Sequence, residues 1–157
     1  RLLCGLLLLL LPMHQASAQD LASEKVVKDY MAAWNAHDAA AAAAFMSDNV
    51  IYYDATVGEP VSGRADAQAQ IIQAFMTAAP DLVWEMRGPA ISSPGHVAFE
   101  WVFSGTNTGP WADGTPGTNK TFQVFGVSYI NLLDGKIAYQ GDYYDALGFY
   151  RQLGLME

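Results

Sequence analysis

The hydrophobic pattern changes its period part-way along the chain. From Leu21 to Asn35, apolar residues recur every three to four positions. Val26, Val27, Tyr30, Met31 and Trp34 share one face, with Glu24, Lys25 and Lys28 off it. That spacing predicts an amphipathic helix. A break at Asn35-Ala36-His37 follows. Asp38 then stands where an N-cap belongs, ahead of a second predicted helix from Ala39 to Met46. The alanine run in that segment combines high helix propensity with little bulk. Val50 to Asp54, β-branched and aromatic, reads as a short strand, and Thr56 to Gly63 as a loop. Arg64 to Ala79 gives a third helix with Ile71, Ile72, Phe75 and Met76 as its stripe. Pro80 ends it, because the residue before a proline disfavours helical backbone.

Beyond Asp81 the period is two. Leu82 to Ile91 is a strand interrupted near Gly88-Pro89, and Ser92 to Gly95 a turn. His96 to Thr106 alternates Val97, Phe99, Trp101 and Phe103 with Ala98, Glu100, Val102 and Ser104. A Gly/Pro/Asn/Thr loop runs from Asn107 to Asn119. Thr121 to Leu133 and Lys136 to Tyr144 are strands joined by the two-residue hairpin turn Asp134-Gly135. Ala146 to Leu153 is a short helix with Gly154 at its C-cap. Helices followed by an antiparallel meander predict an α+β fold. The expected form is a cone: a strongly curved, mostly antiparallel sheet, three N-terminal helices on its concave face, and a short C-terminal helix. The mouth of such a cone suits a small molecule.

Composition narrows the partners. The chain has 157 residues, 52% hydrophobic and 15% charged, with 8 Lys plus Arg against 16 Asp plus Glu and a net charge of −8. That is one domain with a packed core. An acidic chain without a basic run cannot track a phosphate backbone, so nucleic acid is excluded as a partner. Anionic lipid would repel it.

The first residues form a separate unit. Arg1, the apolar run Leu2 to Leu11, Pro12 and then Ala16-Ser17-Ala18 match a secretory signal peptide. Residues 1–18 are therefore expected to be cleaved after Ala18, leaving residues 19–157 as a single domain, secreted or periplasmic and free of the membrane. The lone Cys4 and His14 would leave with the leader, removing any disulfide or thiolate chemistry. His37 and His96 have no ligand spacing, so no metal site is expected.

Four segments carry a family likeness: Trp34-Asn35-Ala36-His37-Asp38; Pro80-Asp81-Leu82-Val83-Trp84-Glu85; the loop Gly105-Thr106-Asn107-Thr108-Gly109-Pro110-Trp111; and the ending Asp134-Gly135-Lys136-Ile137, Tyr143-Tyr144-Asp145 and Gln152-Leu153-Gly154. In this order they resemble the SnoaL-like polyketide cyclases, often labelled ester cyclases, of the nuclear transport factor 2-like superfamily. The likeness spans Val26 to Leu155. It implies a cone-shaped α+β fold, but not one reaction, because such folds host many chemistries. It also implies that an Asp in the last strand acts as general acid/base in a cofactor-free aldol step. Two features depart from it: Asn107 stands where relatives often carry a His, and the leader implies export, whereas polyketide cyclisation is a cytoplasmic task.

Asp142 shares a strand face with Ala138, Gln140 and Tyr144 and is the expected catalytic group; a rim carboxylate paired with a base is the plainer reading. Asp145, three residues on, sits where a helix N-cap belongs, and a shifted register would make it the pocket acid instead. Tyr52 and Asp54, two apart on one strand, point the same way and either orient a substrate or sit at the core edge. Tyr52, Asp54, Asn107, Tyr144 and Trp34 complete the expected substrate-binding set. Trp34, Trp84, Trp101, Phe75 and Phe125 read most simply as core, though a few aromatic residues line any cavity. Glu100 reads as solvated, His37 as locally hydrogen-bonded and His96 as exposed. At most one of Gln123 and Ser128 faces the pocket. Two functions fit: a cofactor-independent general acid/base enzyme for a small, largely apolar carbonyl or ester, or a non-catalytic exported module that binds an apolar small molecule. Either is expected to pair as a homodimer through the sheet's exposed face.

Overall fold

The computed structural model describes residues 17–157, and the apolar run of the expected leader lies outside the described residues. Helix α1 (Ala18–Asn35) starts three residues before the expected Leu21 because Ser17 and Asp20 cap it reciprocally. The Ser17 hydroxyl accepts from the Asp20 amide at 3.2 Å, and the Asp20 carboxylate accepts from the Ser17 amide at 2.8 Å. A cut after Ala18 would therefore strip this helix of its cap.

Helix α2 is only Ala39–Ala43, capped by the Asp38 carboxylate on the Ala41 amide at 2.9 Å. The expected helix to Met46 is cut short because Met46 already begins strand β1 (Met46–Asp54). Pairing with the last strand claims it: Met46 is the register partner of Ile137, whose amide donates to Phe45 O at 2.8 Å. The expected loop after β1 contains a two-residue strand, β2 (Val61–Ser62), which pairs back on Ile51 and Tyr52. The third expected helix is one run in three parts, α3 (Arg64–Ala67), a π-helical stretch (Gln68–Ile72) and α4 (Gln73–Ala78). A π turn admits an extra residue per ring and offsets the faces on either side of it. Ile71, Ile72, Phe75 and Met76 all reach the core.

Strands β3 (Val83–Ser93), β4 (His96–Thr106), β5 (Thr121–Leu133) and β6 (Lys136–Tyr144) complete one sheet in the order β2-β1-β6-β5-β4-β3. Only β1 and β6 run parallel. The register slips between Arg87 and Ile91, where Gly88 has φ 69°, at the interruption the sequence predicts. Asp134 and Gly135 have φ 51° and 73°, the paired positive values of a tight hairpin turn.

Helix α1 packs across β3 and β4, and helix α5 (Ala146–Leu153) packs on β5 through buried Phe149 and Leu153. The core lies between these helices and one sheet face, to which β4 sends Val97, Phe99 and Trp101. Glu100 is exposed, as alternation requires. Phe125 corrects the sequence reading. On β5 the inward residues are Phe122, Val124, Ser128 and Ile130, so Phe125 points outward, is 54% exposed, and lies under the Arg87 guanidinium. Among the described residues no helix is long and apolar enough to cross a membrane.

Candidate functional site

Strand register sets the inner face of the sheet in rows. One row runs Tyr52, Gln140, Ile130, Val97 across β1, β6, β5 and β4; the next runs Asp54, Asp142, Ser128, Phe99. A third holds Tyr144, Gly126 and Trp101. Registered neighbours share a face, so alternation along β1 and β6 gathers Tyr52, Asp54, Gln140, Asp142 and Tyr144 into one polar cluster. Four of the five, Tyr52, Asp54, Asp142 and Tyr144, line a cavity together with Trp34, Phe75, Trp84, Trp101 and Phe103. The cavity is tight, with a volume of about 30 Å³.

Asp142 is buried and receives hydrogen bonds on both oxygens. Tyr52 Oη donates to Oδ2 at 2.7 Å and Ser128 Oγ to Oδ1 at 2.5 Å, while Gln140 Nε2 lies 2.9 Å from Oδ2 and 3.2 Å from Oδ1. Ser128 is itself held by the Trp101 indole N–H at 2.8 Å. Burial, and then the charge of Asp54, push the Asp142 carboxyl up to about 7 against the pull of these donors. Asp54 has its own set: Thr56 N at 2.8 Å, Thr56 Oγ1 at 2.5 Å and Tyr144 Oη at 3.0 Å. Burial raises its carboxyl too, opposed by Thr56 and Tyr144. Tyr52 and Tyr144 are pushed well above the ordinary phenol range by burial and by the neighbouring carboxylates, so both keep their protons. A carboxyl titrating near neutrality, flanked by phenols, can take up and return a proton.

The other candidates sort by place. Trp34 is in the cavity wall. Its neighbour Asn35 fixes it to the sheet edge, accepting from Trp84 N at 2.7 Å and donating to Trp84 O at 2.8 Å. Asn107 does not line the cavity. Fully buried, it spends its amide on the loop backbone, donating to Ala78 O and Gly109 O and accepting from Trp111 Nε1 and both Thr118 donors. An amide at that position ties the loop from Asn107 to Asn119 and leaves nothing for a ligand. Asp145 caps α5, accepting from Gly148 N at 2.8 Å. His37 Nε2 lies 2.9 Å from Leu82 O, and His96 is exposed beside Asn131 and Tyr129. Among the described residues no group of three metal-ligating side chains converges.

A family model of the SnoaL-like polyketide cyclases matches residues 24–153. The chain belongs to this family. Solved structures share the fold at low identity. A candidate SnoaL-like polyketide cyclase from Jannaschia sp. CCS1 superposes with a TM-score of 0.78 at 15% identity, covering 92% of this chain and 100% of its own. AclR, a candidate hydroxylase from Streptomyces galilaeus, gives 0.73 at 21%, covering 88% and 99%. A candidate polyketide cyclase from Xanthomonas campestris gives 0.72 at 22%, covering 87% and 99%. Among curated proteins none matches the chain.

In this SnoaL-like chain Phe75, Trp84 and Trp101 are buried in the core, as the sequence predicts, and with Phe103 they also line the cavity. Hydropathy cannot separate a ring that fills a core from one that walls a pocket. Gln140 and Ser128, the partners of Asp142, were visible only as residues of the right alternation.

Proposed function

We propose that the chain is a cofactor-independent general acid/base enzyme acting on a small, largely apolar carbonyl or ester compound held in the conical cavity. The observation that carries this reading is the buried Asp142 carboxyl, raised to about 7 beside Asp54 and held by Tyr52, Ser128 and Gln140. Family membership supports a small-molecule or cyclase-type role. The aromatic wall would seat the apolar body of the substrate. Ionised Asp142 would take a proton from the carbon next to the carbonyl. The Tyr52 and Tyr144 hydroxyls would turn to hydrogen-bond the oxygen that gains charge. The enolate carbon would add to a second carbonyl of the substrate, opening its C=O bond to an alkoxide. Protonated Asp142 would return the proton to that alkoxide, or to the original carbon where no closure occurs. Asp54 acts through Asp142: its charge keeps the neighbouring carboxylate basic. Proton transfer and carbon–carbon closure of this kind call for no cofactor.

The test needs no knowledge of the natural substrate. Small 1,3-dicarbonyl and ester compounds in heavy water should exchange their acidic C–H faster with the wild-type chain, followed by proton NMR. Asp142→Asn should fall to the background rate and Asp145→Ala should keep the activity. Exchange by Asp142→Asn as fast as wild type would contradict the reading.

Export belongs to the same proposal, with cleavage after Ala18. Intact mass of the exported protein should begin at Gln19, and a mature chain retaining Leu2 to Leu11 would refute it.

A further inference from the structure

The cavity wall is a succession of rings. Phe75, Phe103, Trp34, Trp84, Trp101 and Tyr144 follow one another with centroids 5.6, 6.3, 5.7, 6.4 and 5.5 Å apart. Each ring is turned from the last by 84°, 84°, 70°, 81° and 65°, so they form walls around a space instead of a stack. Asp54 and Asp142 line the same cavity. Two buried carboxylates would normally be matched by a buried base. None lines this cavity. The described lysines and arginines lie elsewhere: Lys25, Lys28 and Arg64 pair with surface acids, Arg87 covers Phe125 on the outer face, and Lys136 and Arg151 bond backbone carbonyls. Lys120 sits against Gly154.

We propose that this cavity selects for positive charge, admitting a small alkylammonium group, quaternary or protonated, between the rings and against Asp54 and Asp142. Ring faces attract a cation through their quadrupoles, and most strongly when water is excluded. Asp54 supplies the counter-charge, joined by Asp142 once it ionises, and no basic side chain repels the guest. The same arrangement rejects carboxylates and phosphates. A rounded alkylammonium group also fits a space this tight better than an extended chain. The inference goes beyond the acid/base reading, since it concerns which charge the cavity admits and holds whether or not the guest reacts.

The test pairs choline with 3,3-dimethylbutan-1-ol, its neutral isostere, each titrated into the full chain at constant ionic strength. Three tryptophans line the cavity, so indole fluorescence reports occupancy. Choline should saturate the signal with about ten-fold or greater preference over the alcohol. Asp54→Asn should erase most of that preference, and choline should slow the C–H exchange reaction where the alcohol does not. Equal affinity of the two compounds, or no saturable response to choline, would overturn the inference. Either result leaves the acid/base reading intact if wild-type exchange persists, so the two claims fail separately. Because the decisive comparison uses the wild-type chain, a variant that fails to fold does not blunt it.

Discussion

Asp54 and Asp142 are register partners on the parallel strands β1 and β6, both buried and each held by its own tyrosine. Parallel pairing is the reason for this closeness. The last strand returns beside the first, so residues 88 positions apart stand in one row. Two like charges so placed disfavour each other's ionisation. The donor sets decide which carboxyl yields. Asp54 takes two backbone amides besides its hydroxyls, whereas Asp142 depends on side chains alone.

The raised carboxyl leaves a mark on stability. Folded Asp142 keeps its proton up to about pH 7, whereas the unfolded chain releases it near ~3.9. Between these values the folded chain binds more protons, so stability falls as pH rises through the window and levels off above it. Asp142→Asn removes this titration. Its melting temperature should therefore change less between pH 4 and pH 7 than that of wild type, with Asp54 leaving a residual slope. Thermal melts followed by circular dichroism that show the full wild-type slope in the variant would count against the assignment.

Gly126 makes room for the wall. A Cβ there would run into the Trp101 indole and come within 2.8 Å of Tyr143 O. Trp101 in turn holds Ser128 against Asp142. Gly126→Ala should cost about 1–3 kcal/mol through overpacking and shift the tryptophan emission. Denaturant unfolding at wild-type stability would show that the indole yields freely.

Much of this was legible in the residues. The strands His96–Thr106, Thr121–Leu133 and Lys136–Tyr144 and the helix Ala146–Leu153 have the bounds that alternation and turn chemistry predict, because Asp134-Gly135 and Asp145 mark their ends. The alanine run misled at its end: propensity favours helix to Met46, but pairing with Ile137 claims that residue for the sheet. The π turn left no local signal. Tyr52, Asp54, Asp142 and Tyr144 fall on one face by counting, but their convergence depends on which strands pair. Asn107 looked like a ligand-facing amide within its motif. Only the fold shows its hydrogen bonds turned into the loop.

The outer sheet face exposes large apolar side chains. Phe125, Val127, Tyr129 and Tyr143 are each 40% or more exposed, and β5 and β6 set them side by side. We propose that two copies pair through this face, since a contiguous exposed patch of this kind marks an interaction site. Sedimentation equilibrium at micromolar protein should give the mass of a dimer, and Val127→Lys that of a monomer. A wild-type monomer throughout would refute the pairing.

The most direct measurement is a carbon-13 NMR titration of the aspartate side-chain carboxyls, with Asp142→Asn assigning the signal. The account predicts that Asp142 titrates with a midpoint of about 7, and that Asp54→Asn moves this midpoint down by removing the neighbouring charge. An Asp142 carboxyl titrating near the ordinary ~3.9, unmoved by Asp54→Asn, would contradict the account.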